Sequence, residues 1–194
     1  MKYTQRQMQI IETAIELVAK GGIQELTIKN VAAAIGISEP AIYRHFESKM
    51  AILVAIQEFF SSERLLFFSK VLDDTTAAQE KITRIMEHHF STFSEKPALA
   101  AVMFSEELFQ NDRRLAGMVM EIMDQSRAAL TDIVTNGQST SDIRADIPAG
   151  DVVTMIMGSL RLIVKNWHLH KHSYDLRRAG QSFMKSLETI LAAQ

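Results

Sequence analysis

The chain reads as an all-α protein of about nine helices, because apolar residues recur at three- and four-residue steps along nearly its whole length. No segment alternates apolar and polar residues strongly enough to compete as a strand, and the breaks fall at Gly, Pro and helix-capping residues. Met8, Ile11, Ala14, Ile15 and Val18 form the buried stripe of a first helix that ends at Gly21-Gly22. Thr27 caps a second helix through Val31, Ala32 and Ile35, and Gly36 stops it. Ser38 caps a short third helix, in which Ile42 and Phe46 lie four residues apart and anchor against Val31 and Ile35. A long helix then runs from Lys49 to about Leu72, bearing Ile52, Leu53, Ile56, Phe59 and Phe60 and ending at Asp73-Asp74. Residues 76–94 form the next, closed by Pro97, and residues 98–109 a short apolar one. Residues 112–136 make a long helix with Leu115, Val119, Ile122, Met123, Leu130 and Ile133 turned inward and Gly137 past its end. Residues 138–149, rich in Ser, Thr and Asp, form a loop before the last two helices.

Composition narrows the function classes. There is no cysteine, which excludes disulfides and thiolate chemistry. No leader precedes the first helix, and the longest apolar region, Val152 to Val164, contains Arg161 and is too short to span a bilayer, so a cytoplasmic protein is expected. The net charge of −2 is unevenly spread: residues 1–50 hold six Lys/Arg against five Asp/Glu, and residues 51–194 hold fifteen against eighteen. Affinity for a polyanion depends on where cations sit more than on their sum, and Lys29, Arg44, His45 and Lys49 cluster. The chain has no G-x-S-x-G, Gly-rich phosphate loop or H-E-x-x-H, and its paired acids, Asp73-Asp74 and Glu106-Glu107, are helix neighbours that do not face each other. No enzymatic activity and no cofactor are expected.

Residues 27–49, TIKNVAAAIGISEPAIYRHFESK, carry the most information. Two short helices around a Gly turn present an outward face of mostly small side chains, suited to a major groove about 12 Å wide. On this reading Lys29, Glu39, Pro40, Ala41 and Arg44 face or approach base edges, while Thr27, Ser38, Tyr43, His45 and Lys49 supply hydroxyls, an imidazole and an ammonium to phosphate oxygens. The segment resembles the helix-turn-helix of TetR/AcrR-family transcriptional regulators, with the turn Gly36, Ser38, the Tyr43-x-His45-Phe46 cluster and Ser48-Lys49 in register. Met50 departs from the acidic residue many members carry there, a helix-dipole loss of a few tenths of a kcal/mol, roughly. By motif the resemblance covers roughly residues 4–55; beyond that it rests on length and helical character. It implies a three-helix DNA-binding domain at 1–50, an effector-binding and dimerisation domain at 51–194, and a long fourth helix that links effector occupancy to the separation of two recognition helices.

The last two helices carry the partner signal. Val153, Met157, Leu160 and Val164 lie on different faces of a helix that is apolar nearly all round, and Leu176, Gly180, Phe183 and Leu187 follow at three- and four-residue steps. Either both helices are internal core or a second subunit covers one face, and the resemblance favours a homodimer built on these two helices. Such a dimer expects a near-palindromic double-stranded operator with half-sites on the order of 34 Å apart per helical turn. Eight of eleven Met and nine of ten Phe lie after residue 50. Met86, His89, Phe90, Phe93, Met103, Phe104, Met123 and Met155 are the candidate lining of a pocket for a hydrophobic or amphipathic effector, set against their reading as ordinary core. His168, His170 and His172 are read as residues at a helix end rather than metal ligands, since no carboxylate or thiolate completes a set. The alternative function is a DNA-binding protein of the same build that uses no small effector and recruits another protein, such as a nucleoid or division factor.

Overall fold

The structure is a computed structural model that describes residues 3–104 and 113–193, the side chain of Glu63 excepted. Among the described residues the chain is helical without strands: α1 (Gln5–Gly21), a 3-10 turn (Ile23–Glu25), α2 (Ile28–Ile35), α3 (Glu39–Tyr43), α4 (Lys49–Leu72), α5 (Ala78–Glu95), α6 (Ala98–Met103), α7 (Arg113–Ser139), α8 (Ala149–Leu169) and α9 (Leu176–Leu191). Packing divides it into two units, residues 1–62 with 96–119, and residues 63–95 with 120–194, so α4 and α7 each contribute to both.

In the first unit α1 packs on α2, on the 3-10 turn and on α6. Thr4 opens α1 with a capping box: its hydroxyl accepts from the Gln7 amide and the Gln7 side chain accepts from the Thr4 amide, which satisfies two otherwise unpaired donors. The pattern T-x-x-Q at residues 4–7 is the sequence signature of this box. Ile10, Ile11, Ala14 and Val18 are buried, against a core that also holds Val31, Ile42, Ile52, Leu53 and Ile56. Gln57 is the exception, a buried amide whose Nε2 sits 4.0 Å from Met103 Sδ and whose Oε1 has no partner.

In the second unit α5 packs chiefly on α9, and both touch α8. Ile82, Ile85, Met86 and Phe90 on α5 and Leu176, Met184, Leu187 and Leu191 on α9 are buried where these two helices pack. The loop before α8 is pinned rather than loose. Asp142 accepts from the Gln79 amide at 2.9 Å and so caps α5, the Arg144 amide donates to the Leu191 carbonyl at 2.9 Å, and Gln138 Nε2 donates to the carbonyls of Arg144 and Ile147.

Two expectations need correction. Helix α7 does not stop before Gly137 but runs on to Ser139; Gly137 is there for space, since a Cβ would lie 2.6 Å from the Ala78 Cβ. Met123, expected inward, is exposed. The apolar helix expected over 98–109 is α6, Ala98–Met103; its remainder, with Glu106-Glu107, lies outside the described residues.

Candidate nucleic-acid interface and effector domain

The reading head is assembled by backbone geometry. Gly36 adopts φ 78°, ψ 34°, the left-handed conformation that a Cβ disfavours, and the amides of Gly36 and Ile37 both donate to the Ala32 carbonyl at 2.9 and 3.0 Å. The chain is thereby turned into α3, where Ile42 and Phe46 are buried and hold the helix on α2. Everything the sequence assigned to DNA then falls on the accessible side. Thr27, Lys29, Ser38, Glu39, Pro40, Tyr43 and Arg44 are exposed, with Tyr43 52% accessible, and Ala41, His45 and Lys49 are half-exposed.

Several of these side chains are also structural. The Thr27 hydroxyl accepts from the Asn30 amide at 3.0 Å, which caps α2 and leaves its proton to donate outward. Ser38 sits at the cap position of α3 but makes no side-chain cap bond, so its hydroxyl remains available. Lys49 Nζ donates to the Ile23 carbonyl at 3.2 Å, which ties the start of α4 to the 3-10 turn and leaves two ammonium protons for a phosphate. Gln7 Nε2 donates to the His45 carbonyl at 3.4 Å, a link between α1 and the end of the motif. Ser48 caps α4 through the Ala51 amide at 3.1 Å.

Within the second unit, α5 turns Met86, Phe90 and Phe93 inward, with His89 half-buried among aromatic rings. His89 meets Phe68 edge-on at 5.8 Å and Phe93 at 6.4 Å, and His88 stacks on Phe67 at 3.8 Å. Beside them lies Arg64, which sequence reasoning did not single out. Its guanidinium donates to Ser126 Oγ at 2.9 Å and Gln125 Oε1 at 3.1 Å, stands 5.3 Å over the Phe68 ring, and has a buried Nε without a partner. The visible signal was one Arg set between the apolar groups Phe59-Phe60 and Leu65-Leu66-Phe67-Phe68. Met103 and Phe104 belong to the first unit, half-buried, while Met123 and Met155 are turned outward on their own helices.

The model for the C-terminal region of YsiA-like proteins matches residues 63–189, and that for bacterial regulatory proteins of the tetR family matches residues 10–56. The chain belongs to the tetR family. It is a DNA-binding transcriptional regulator. Its similar proteins include a fatty acid metabolism regulator protein of Bacillus subtilis (strain 168), 26% identical over 180 residues that cover 93% of this chain and 92% of that one. Another is the nucleoid occlusion factor SlmA of Vibrio campbellii, 26% identical over 172 residues, or 85% and 87% of the two chains. The fold matches the fatty acid degradation regulator FadR from Bacillus halodurans with a TM-score of 0.83 over 100% of both chains at 21% identity. It matches FadR from Bacillus subtilis, solved in complex with stearoyl-CoA, with a TM-score of 0.79 over 95% and 98% of the chains at 24% identity.

The dimer seam expected for this tetR-family chain needs revision. Val153, Val164, Leu176, Gly180 and Leu187 are buried within the chain itself, and Gly180 is filled by the Phe90 ring, so a second subunit has no access to them. Met157, Leu160 and Phe183 keep partial exposure. An apolar stripe reads the same in sequence whether it faces its own domain or a partner. The outward stripe of α8 is instead Met155, Leu162 and Leu169, seven residues apart, with the last two 61% and 65% exposed, and Ile190 is exposed on α9. At the end of α8, left-handed Lys171 and His172 swing the chain back until His172 Nε2 lies 3.3 Å from His168 Nδ1. Among the described residues no third His, Cys, Asp or Glu joins them in a group able to hold a metal.

His89 is expected to make the stability of this tetR-family fold pH-dependent. Burial, then His88, then the Arg64 charge hold its pKa down at about 3 against 6.5 in the open. A depressed histidine stays neutral in the folded state while the unfolded chain takes up its proton, so its contribution is complete above 6.5 and is lost as pH falls towards 3. Urea unfolding at about pH 5 is expected to show up to about 2 kcal/mol less stability than at about pH 7 from this group, and His89→Leu to flatten that dependence.

Proposed function

We propose that the chain is a homodimeric repressor whose two recognition helices occupy successive major grooves of a near-palindromic operator, and that an amphipathic effector of the long-chain acyl-CoA class releases it. The observation that supports DNA reading is the outward face of α3, with Glu39, Pro40, Ala41 and Arg44 accessible beside the phosphate-binding hydroxyls and cations of Thr27, Ser38, Tyr43, His45 and Lys49. Residues 1–50 are assigned to this role and residues 51–194 to effector binding and dimerisation. The acyl-CoA class rests on relatives: a fatty acid metabolism regulator is similar over 93% of the chain, and a structure with the same fold holds stearoyl-CoA. Met86, His89, Phe90 and Phe93, all on α5, are its apolar candidates. Release follows when the effector favours a conformer whose half-site spacing no longer matches DNA; a coupling of about 1–3 kcal/mol changes affinity roughly 5- to 150-fold. The protein is assigned to the cytoplasm, where its operator is, and no helix among the described residues is long and apolar enough to cross a membrane.

Dimerisation is assigned to the outward faces of α8 and α9, with the Met155, Leu162 and Leu169 stripe at its centre. Leu162→Glu is expected to give a monomer by light scattering with unchanged helical circular dichroism, because it places a charge in the seam and touches no core.

Selection of bound duplexes from a random library at near-physiological salt tests the DNA half. A near-palindromic site supports the proposal, and its absence refutes it. Against the selected site, Tyr43→Ala is expected to weaken all sequences alike, whereas Arg44→Ala also relaxes preference at particular base pairs, by about 1–3 kcal/mol for a good bidentate contact. Titration of the operator complex with stearoyl-CoA then tests release. The second reading, recruitment of a division or nucleoid factor without a small effector, has support from the SlmA likeness and is favoured if DNA binding is unmoved by any acyl-CoA.

A further inference from the structure

We propose that Arg64 is the anion-recognition residue of the effector site, binding the carboxylate or phosphate of an amphipathic ligand whose chain lies along the neighbouring aromatic side chains. The inference rests on the small-effector reading above and adds to it a specific residue and a charge requirement. A guanidinium withdrawn from water is stable when a carboxylate or phosphate faces it, and otherwise carries an unrepaid desolvation cost. Here Arg64 is half-buried and its donors reach only neutral acceptors, Ser126 Oγ at 2.9 Å and Gln125 Oε1 at 3.1 Å. No Asp or Glu among the described residues forms an ion pair with it.

The rest of its surroundings offset the cost only in part: the Phe68 ring, 5.3 Å from the cation, attracts it, but Nε is buried with no partner and His89 adds an imidazole kept neutral by burial. Burial also lowers the Arg64 pKa, with no acidic side chain opposing the shift. Ser126 spends its hydroxyl proton on the Ile122 carbonyl at 2.8 Å, and Gln125 Nε2 is engaged with Glu121 at 3.2 Å, so both present oxygens to the guanidinium and hold it in one orientation. A guanidinium held in one orientation by neutral acceptors, with one donor unused, lacks the counter-charge that an oxyanion would supply. The walls suit the remainder of such a ligand: Phe67 and Phe68 on α4 and His88, His89 and Phe93 on α5 form a run of stacked and edge-on rings. One arrangement thus supplies an apolar surface and a single positive charge beside it, the two halves of an amphipathic anion.

The test uses the full-length protein and four dodecyl probes: dodecanoyl-CoA, dodecanoate, the uncharged thioester S-dodecanoyl-N-acetylcysteamine and 1-dodecanol. Binding is measured by calorimetry to the wild type, Arg64→Gln, Arg64→Met and Arg64→Lys. The expected result is tighter binding of at least one anionic probe than of the neutral ones, a loss of about tenfold or more for that probe in Arg64→Gln and Arg64→Met, partial retention in Arg64→Lys, and unchanged affinity for the neutral probes. Which anion is affected distinguishes a carboxylate ligand from a phosphate-bearing one. Circular dichroism melts identify any variant that fails to fold; two neutral substitutions of different polarity keep the comparison open, because removal of a cation without a counter-charge is not expected to unfold the domain. Equal loss for charged and neutral probes, or no loss for the anions, overturns the role of Arg64 while leaving the effector reading intact. Failure of every probe to bind the wild type overturns the effector reading and this assignment with it.

Discussion

Gly180→Ala is expected to destabilise the protein by about 2 kcal/mol, although alanine is the better helix former by about 1 kcal/mol. A Cβ at this position of α9 would lie 2.6 Å from Phe90 Cγ and 2.7 Å from Cε2, and closer still to Cδ2. Phe90 is 1% exposed where α5 packs on α9, so it can yield only by displacing its neighbours. Overpacking of this kind costs about 1–3 kcal/mol or more, and the propensity gain offsets only part of it. Thermal melts should show a midpoint lower by about 4–8 °C. Gly117→Ala in α7 is the control, because nothing lies within 4 Å of its would-be Cβ, and there the same methyl should stabilise by about 0.5–1 kcal/mol. A result in which Gly180→Ala melts like wild type but changes only the oligomeric state would mean that Gly180 faces a partner rather than Phe90.

The second large effect is on DNA binding. Gly36→Val places a β-branched residue at φ 78°, where a Cβ costs about 1–2 kcal/mol and branching adds to it. Relief of that strain requires the turn to open, and the turn orients α3, since Gly36 and Ile37 close it onto the Ala32 carbonyl. Operator affinity is therefore expected to fall by about a hundredfold, because base contacts depend on the attitude of the whole helix and are lost together. Gly36→Asn should retain most of the binding, as Asn tolerates the left-handed region. Fluorescence anisotropy with a selected operator measures both. If valine and asparagine bind equally well, the turn is not what holds the recognition helix.

Much of this architecture was legible in the sequence because the signals were local. Thr27, Gly36 and the Ile42/Phe46 pair marked the reading head through capping, handedness and four-residue spacing, all of which act within a few residues of chain. The exposed set from Thr27 to Lys49 followed, since fixing Ile42 and Phe46 inward leaves only one outward face. The helices over 49–72 and 78–95 were recovered for the same reason, within a residue or two at the ends.

What failed were questions of which face meets which neighbour. Val153, Val164, Leu176, Gly180 and Leu187 satisfy the seam periodicity equally well as own-chain core or as dimer contact, and Met123 and Met155 fit an inner stripe that their helices turn away. Gly137 read as a helix stop because its role, to make room for Ala78, lies 59 residues away in sequence. Arg64 is not marked by the sequence because its significance depends on long-range surroundings, in which no carboxylate among the described residues pairs with it. The amino-acid sequence by itself thus determined the helices, the DNA-reading motif and its exposed side chains, which follow from near-neighbour backbone and side-chain physics. Only the tertiary structure decided which apolar faces are core, where Phe90 takes the place of a missing Cβ, and that Arg64 stands among rings with no counter-charge among the described residues, because those depend on long-range packing and on the desolvation that packing imposes.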